Sequence, residues 1–176
     1  GWPLLAPVGT VYRYANNDTL LATLAAAPTF TAHPPAELFD ALGMTHTWAE
    51  TDWRGNYILS SQVWTTARDL ARFGQLYLQD GVGEGERLLP EGWRDYVTAP
   101  TGPQPPTGDF GYGATFWLMN RSEGVPVDAF AAFGNRGQYV VIVPSRQVVI
   151  VRRGEDPAGK PFDVAAFARS VLESLD

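Results

Sequence analysis

Few side chains in this sequence are of a type and spacing that could do chemistry. Nucleophilic serine catalysis needs a serine, a base and an orienting acid. All three types are present, but no Gly-x-Ser-x-Gly elbow is. His33 and His46 fall in segments that read as loops, and neither has a second histidine or a carboxylate at metal-ligand spacing, so both read as surface residues. The one lysine, Lys160, lies in a turn-rich segment and is a poor candidate for an active amine. Cysteine is absent, which excludes disulfides, Cys-based zinc sites and thiol nucleophiles and leaves the compartment undecided. Gly81-x-Gly83-x-Gly85 and Gly134-x-x-Gly137 do not sit between a strand and a helix, so neither is a dinucleotide loop. Two features are left. Tyr14-Ala15-Asn16 places a tyrosine two residues before an asparagine at a helix start, which on local evidence alone reads as a buried aromatic and an N-cap. Gly134-Asn135-Arg136-Gly137 opens a strand, where glycine lets another backbone or a ligand come close; it reads either as a plain turn or as the rim of a substrate cleft.

The elements that must position these residues follow from periodicity. Gln138 to Val143 and Val148 to Arg153 are β-branched runs separated by Pro144-Ser145-Arg146-Gln147, which predicts a hairpin. Both runs are almost continuously apolar, so both faces should be covered. Gly111 to Met119 reads as a further strand, and Ala129 to Phe133 leads into the hairpin. Helices are expected over Thr19 to Ala27, with Asn16, Asn17 and Asp18 as possible N-caps, and over Ala36 to Leu42 after Pro34-Pro35. The clearest helix runs to Leu78, with Leu70, Phe73, Leu76 and Tyr77 at helical spacing and Thr66 and Asp69 at capping-box spacing. A short helix follows Pro90, and Phe162 to Leu175 carries an apolar stripe of Val164, Phe167, Ala168, Val171, Leu172 and Leu175. Thr45 to Leu59 reads as irregular, pinned to the core by Trp48 and Trp53, and Val82 to Leu89 as a connector. Helices in the first hundred residues (about 15–98), then antiparallel strands and a last helix (about 110–176), argue one α+β domain over 1–176. The Pro-rich stretch from Ala99 to Gly108 is too short to split it.

Bulk properties narrow the function classes. The 176 residues are 45% hydrophobic with a net charge of −6 and no basic run, which argues against nucleic acid and anionic membrane as partners. No apolar run approaches the length of a membrane span. The opening residues GWPLLAPVGT are apolar, turn-rich and uncapped, so the N-terminus of the protein is expected further upstream.

Several longer segments, in order, resemble the serine β-lactamase-like hydrolases, which include class C β-lactamases, esterases, D-Ala-D-Ala peptidases and 6-aminohexanoate-dimer hydrolases. Tyr14-Ala15-Asn16 resembles the family's Tyr-x-Asn element, and Leu38 to Met44 (LFDALGM) its LF-x-x-LGM segment. Thr65 to Leu78 (TTARDLARFGQLYL), Gly85 to Trp93 (GERLLPEGW) and Gly111 to Leu118 (GYG followed by FWL) resemble further family segments, most similar in wording to the 6-aminohexanoate-dimer hydrolase and esterase group. Gly134 to Gln138 falls where the family has its Lys/His-Thr-Gly strand. The resemblance implies a β-lactamase/transpeptidase-like fold, an antiparallel sheet flanked by helices. It also implies a reaction on a small-molecule ester or amide through an acyl-serine, with no metal or cofactor.

The resemblance assigns roles by position. Tyr14 would be the partner base, Asn16 would hold the substrate amide or the lysine, and the N–H of Gln138 would be half of an oxyanion hole. Gly134, Asn135, Arg136 and Gly137 would contact substrate, with Asn135-Arg136 standing where Lys-Thr or His-Thr is common, which argues against β-lactam specificity. The nucleophile is the serine of Ser-x-x-Lys, before Tyr-x-Asn; none of the six serines here has a lysine three residues on, and only thirteen residues precede Tyr14. The chain is therefore expected to be the C-terminal part of such an enzyme, inactive alone, with an unpaired strand edge at Gly137 to Val143 and the missing N-terminal segment as partner. The alternative is a non-catalytic small-molecule-binding or structural module of the same fold.

Overall fold

The computed structural model describes residues 3–160 and 162–176. Gly1, Trp2 and Pro161 lie outside them, so the opening GWPLLAPVGT segment is seen only from Pro3. In chain order the elements are α1 (Asn16–Ala26), α2 (Pro35–Ala41), β1 (Trp48–Ala49), β2 (Val63–Trp64), α3 (Ala67–Leu78), β3 (Val82–Gly83), β4 (Glu86–Arg87), α4 (Trp93–Thr98), β5 (Gly111–Tyr112), β6 (Trp117–Leu118), β7 (Phe130–Gly134), β8 (Gln138–Val143), β9 (Val148–Arg152) and α5 (Val164–Glu173).

The β-branched runs form the heart of an antiparallel sheet ordered β5-β6-β7-β8-β9. Its register pairs Phe133 with Tyr139 and Gly134 with Gln138 across one hairpin, and Tyr139 with Arg152 and Ile142 with Val149 across the next. Alternation then sends Phe130, Val140 and Ile142 to one face and Ala131, Tyr139, Val141 and Val143 to the other. Helix α3 covers the first face. Its Gly74 is the contact point, because a Cβ there would sit 2.5 Å from Val149 Cγ1. Helix α5 covers the second with buried Val164, Ala165, Ala168 and Leu172. Sandwiching on both faces is why the runs are continuously apolar. Ile142 and Val143 are fully buried at the centre.

The caps follow the sequence. Thr66 Oγ1 accepts from the Asp69 N–H at 3.2 Å to start α3, and Asp163 Oδ1 accepts from the Ala166 N–H at 2.9 Å to start α5. The reciprocal half of the Thr66 box is not made. The buried Asp69 carboxylate instead accepts from the His46 N–H at 2.8 Å and the Thr47 hydroxyl at 2.9 Å, tying the loop after α2 to the first turn of α3.

Four expectations are corrected. Helix α1 begins at Asn16, so Asn16, Asn17 and Asp18 form its first turn; Ala15, extended at φ −146°, is the N-cap residue and makes no side-chain cap bond. Trp48 and Trp53 are exposed, Trp53 at 86%, and the segment is held by pairing of β1 with β2 and by Asp52, which accepts from the Arg54 and Asn56 N–H groups. The segment read as one strand at Gly111 to Met119 is a hairpin: the Gly113 N–H bonds the Phe116 carbonyl at 2.9 Å, Thr115 has φ +69°, and β5 and β6 pair across the turn. Gly137 to Val143 is not a free edge, because β8 lies between β7 and β9; the outer strands are β5 and β9.

Candidate active site

A row of side chains crosses the whole sheet on the α5 face, and Tyr14 stands at one end of it. Cross-strand pairing sets Tyr112 against Trp117, Trp117 against Ala131, Phe133 against Tyr139 and Tyr139 against Arg152. The aromatic members touch: Tyr112 meets Trp117 edge to face at 5.0 Å between ring centroids, Trp117 stacks on Phe133 at 5.4 Å and 16°, and Phe133 meets Tyr139 at 5.1 Å. The Tyr14 ring lies 5.2 Å from Trp117 and 5.9 Å from Tyr112, and Tyr12 lies 5.5 Å from Tyr112. Tyr14, two residues before the start of α1 at Asn16, thus rests on the hairpin formed by β5 and β6. Tyr14 keeps 54% of its surface exposed, so the ring is propped from one side and open on the other.

The turn from Gly134 to Gln138 closes β7 on β8 at the same end of the sheet. Arg136 and Gly137 take left-handed conformations, φ +59° and +86°. Two straps hold it, one on each face. On the α5 face, Arg152 donates to the Gly137 carbonyl at 2.8 Å and forks onto Asp156 at 3.0 and 2.6 Å, while its guanidinium lies 3.8 Å from the centre of the Phe162 ring. The Asp156 N–H in turn donates to the Arg136 carbonyl at 3.0 Å. On the α3 face, the Gln138 side chain donates to the Gly154 carbonyl at 2.5 Å and accepts from Arg153 Nε at 2.6 Å, and Arg153 reaches the Thr65 carbonyl at the head of α3.

Charge follows from these contacts. The Arg152 fork holds the Asp156 carboxyl below its usual range, and Asp156 raises Arg152 in return. Burial, then the neighbouring Tyr14 and Tyr12, push the Tyr112 phenol up to about 12. Tyr12 is raised by burial and by Tyr14, and its hydroxyl is enclosed without a hydrogen-bond partner among the described residues. Arg136 pairs with Glu155 at 2.9 Å with both side chains exposed; such pairs are worth about 0–1 kcal/mol, so the contact orients Arg136 without locking it.

A family model described as Beta-lactamase matches residues 1–166. The chain belongs to the beta-lactamase family. Solved structures share the beta-lactamase-like fold. A protein from Bacillus anthracis provisionally titled 6-aminohexanoate-dimer hydrolase aligns with TM-score 0.72 at 25% identity, over 96% of this chain and 44% of its own. A beta-lactamase from Mycobacterium bovis aligns with TM-score 0.72 at 19% identity, over 97% of this chain and 66% of its own. A protein from Bacteroides dorei provisionally titled beta-lactamase gives TM-score 0.64 at 17% identity, over 94% of this chain and 57% of its own. This chain therefore spans about half the length of the structures it matches. No curated protein matches it.

Within this beta-lactamase-family chain, Tyr14 and the Gly134–Gln138 turn are linked through two stacked rings, Trp117 and Phe133. Asn16 sits exposed in the first turn of α1. Three serine hydroxyls are committed to hydrogen bonds: Ser122 to the Asp109 carbonyl, Ser145 to Asp128 and Ser174 to the Val171 carbonyl. His33 is surface-exposed as expected, though it does find a carboxylate, Glu37, at 2.9 Å. Sequence reasoning missed Tyr112, Trp117, Phe133, Arg152 and Asp156 as members of the site. For Arg152 a signal existed, a charge at the end of an otherwise apolar buried run with an acid four residues on.

Proposed function

We propose that this chain is the C-terminal portion of a serine hydrolase that cleaves a small-molecule ester or amide through an acyl-serine intermediate, its Ser-x-x-Lys nucleophile lying in an upstream segment. The observation that carries the reading is the pairing of a propped, half-open Tyr14 with a strapped glycine turn in a beta-lactamase-family chain that holds no Ser-x-x-Lys. A serine hydroxyl is a weak nucleophile near neutral pH and needs a proton acceptor. Tyr14, with the upstream lysine, accepts that proton and returns it to the leaving amine or alcohol. Asn16 holds the substrate amide or the lysine. The oxyanion takes one donor from the serine's own N–H and one from the Gly134–Gln138 turn, where the Gln138 N–H is the first candidate; one such donor contributes about 3–4 kcal/mol in comparable sites. Gly134, Asn135, Gly137 and the loosely paired Arg136 line the substrate side. The chemistry calls for no metal or cofactor.

The upstream segment is also the proposed partner of the exposed surface. The outer edge of β9 pairs with no strand among the described residues, and Leu4, Leu5, Val8 and Val11 are exposed. Turnover of p-nitrophenyl butyrate decides the reading. This chain alone is expected to give none above background, and the protein expressed with its upstream coding sequence to give a burst and a covalent serine adduct. A burst with a serine adduct from this chain alone would overturn the proposal. The second reading, a non-catalytic module that binds small molecules, is favoured instead if the upstream sequence lacks Ser-x-x-Lys.

A further inference from the structure

We infer that Arg152 and Asp156 are positioning residues, a clamp that fixes the backbone of the Gly134–Gln138 turn in the geometry the reaction uses; this rests on the hydrolase reading above. The clamp acts through backbone atoms. Arg152 holds the Gly137 carbonyl, and the Asp156 N–H holds the Arg136 carbonyl, so two consecutive peptides of the turn are each tied to one member of the pair. The pair is itself well held. Its side chains are 21% and 14% exposed, its fork is bidentate, and Phe162 covers the guanidinium. Arg152 also occupies the last position of the aromatic row that begins under Tyr14, so the clamp and the tyrosine share one rigid sheet.

The glycines report the same arrangement. A Cβ on Gly137 would lie 2.1 Å from both Arg152 Nη1 and Asp156 Oδ2, and a Cβ on Gly154 would lie 2.1 Å from Arg152 Nη1. Both positions are bare so that the ion pair can press against the turn. The fork reaches the turn's main chain through Arg152, and Asp156 adds its own backbone N–H. Lysine does not replace arginine in such a clamp, because one ammonium gives no planar fork.

Two arms test this with Arg152→Lys and Asp156→Asn. In the first, Arg152→Lys is made in this chain and amide exchange is followed by NMR. The Asp156 amide should exchange at least ten-fold faster, and the Gly137 and Gln138 resonances should shift, while Val141 and Ile142 amides stay protected. Unchanged exchange at Asp156, or a uniform rise across the sheet, would overturn the clamp. In the second arm both variants are made in the protein with its upstream segment, and p-nitrophenyl butyrate kinetics are normalised to serine sites titrated by a fluorophosphonate. The expectation is a ten-fold or greater fall in kcat per titrated site with KM within two-fold. A purely structural pair would lower the number of titrated sites and leave kcat per site unchanged, which overturns the inference. If the unsubstituted protein titrates no serine, the hydrolase reading fails, and the exchange arm still decides whether the clamp exists.

Discussion

Replacing Asp69 by alanine should be among the most damaging single changes outside the central sheet. Its carboxylate is about 1% exposed and accepts from the His46 N–H at 2.8 Å, the Thr47 hydroxyl at 2.9 Å and Arg72 at 3.1 Å. Hydrogen bonds to a charged group contribute roughly 1.5–3 kcal/mol each. The two from His46 and Thr47 bound the loss at about 3–6 kcal/mol, because Arg72 is 44% exposed and solvent screens its pair. His46 is exposed and can be hydrated, and Thr47 keeps its bond to Thr65 at 2.6 Å, so the net loss should be about 2–4 kcal/mol. Asp69→Asn adds a pH signature. Burial pushes the carboxyl up, but the His46 amide, the Thr47 hydroxyl and the Arg72 and His46 charges outweigh it and leave the pKa below its usual value. A depressed folded pKa contributes stability that is present above the unfolded value, near 4, and is lost as pH falls through the folded one. Urea unfolding followed by circular dichroism at pH 7 and at pH 3 should therefore show Asp69→Asn destabilised at pH 7 and converging with the parent at pH 3. The acid sensitivity that persists belongs to Asp52 and Asp156, which are also depressed. A loss below about 1 kcal/mol for Asp69→Ala, or an Asp69→Asn deficit equal at both pH values, would mean that the buried carboxylate does not hold this loop.

Three further outcomes follow from the same geometry. Gly74→Ala puts a methyl 2.5 Å from Val149 Cγ1 and should cost about 1–3 kcal/mol by forcing α3 off the sheet, read as a lower urea midpoint; a neutral or stabilising effect would mean that α3 does not lie this close. Spectrophotometric titration at 295 nm should show the phenol of Tyr112 ionising near 12, its transition lost in Tyr112→Phe; because the folded pKa is raised, its contribution is complete below pH 10 and is lost as pH rises through 12. The chain alone should bind a hydrophobic dye or self-associate through the β9 edge, checked by light scattering, and a monodisperse, dye-silent monomer would count against a missing covering segment.

How far the sequence carried depended on whether the deciding interaction was local. Helix α3 was readable because Leu70, Phe73, Leu76 and Tyr77 repeat at helical spacing and Thr66 caps the first turn; the central strands because β-branched runs buried on both faces need no partner to be recognised. Trp48 and Trp53 misled because aromatic character predicts burial only on average, and here a two-residue strand pair holds the segment while both rings face outward. Gly111 to Met119 misled because its turn rests on Thr115 at positive φ and on close packing of Gly113 against the Val97 carbonyl, neither of which is a sequence pattern. The candidate site divides in the same way. Tyr14 and the glycine turn were visible as short motifs, whereas the row from Tyr112 to Arg152 exists only once four strand registers are set, and the Arg152–Asp156 pair only once the segment after β9 folds back over the turn.

The most direct measurement is peptide mass spectrometry of the protein expressed from its upstream coding sequence, after treatment with a fluorophosphonate. One adduct is expected, on a serine of a Ser-x-x-Lys segment before Gly1, formed about 10²–10⁴-fold more slowly in Tyr14→Phe, the range set by loss of a general base. An adduct on any of Ser60, Ser61, Ser122, Ser145, Ser170 or Ser174, or a rate indifferent to Tyr14, would contradict the proposed function.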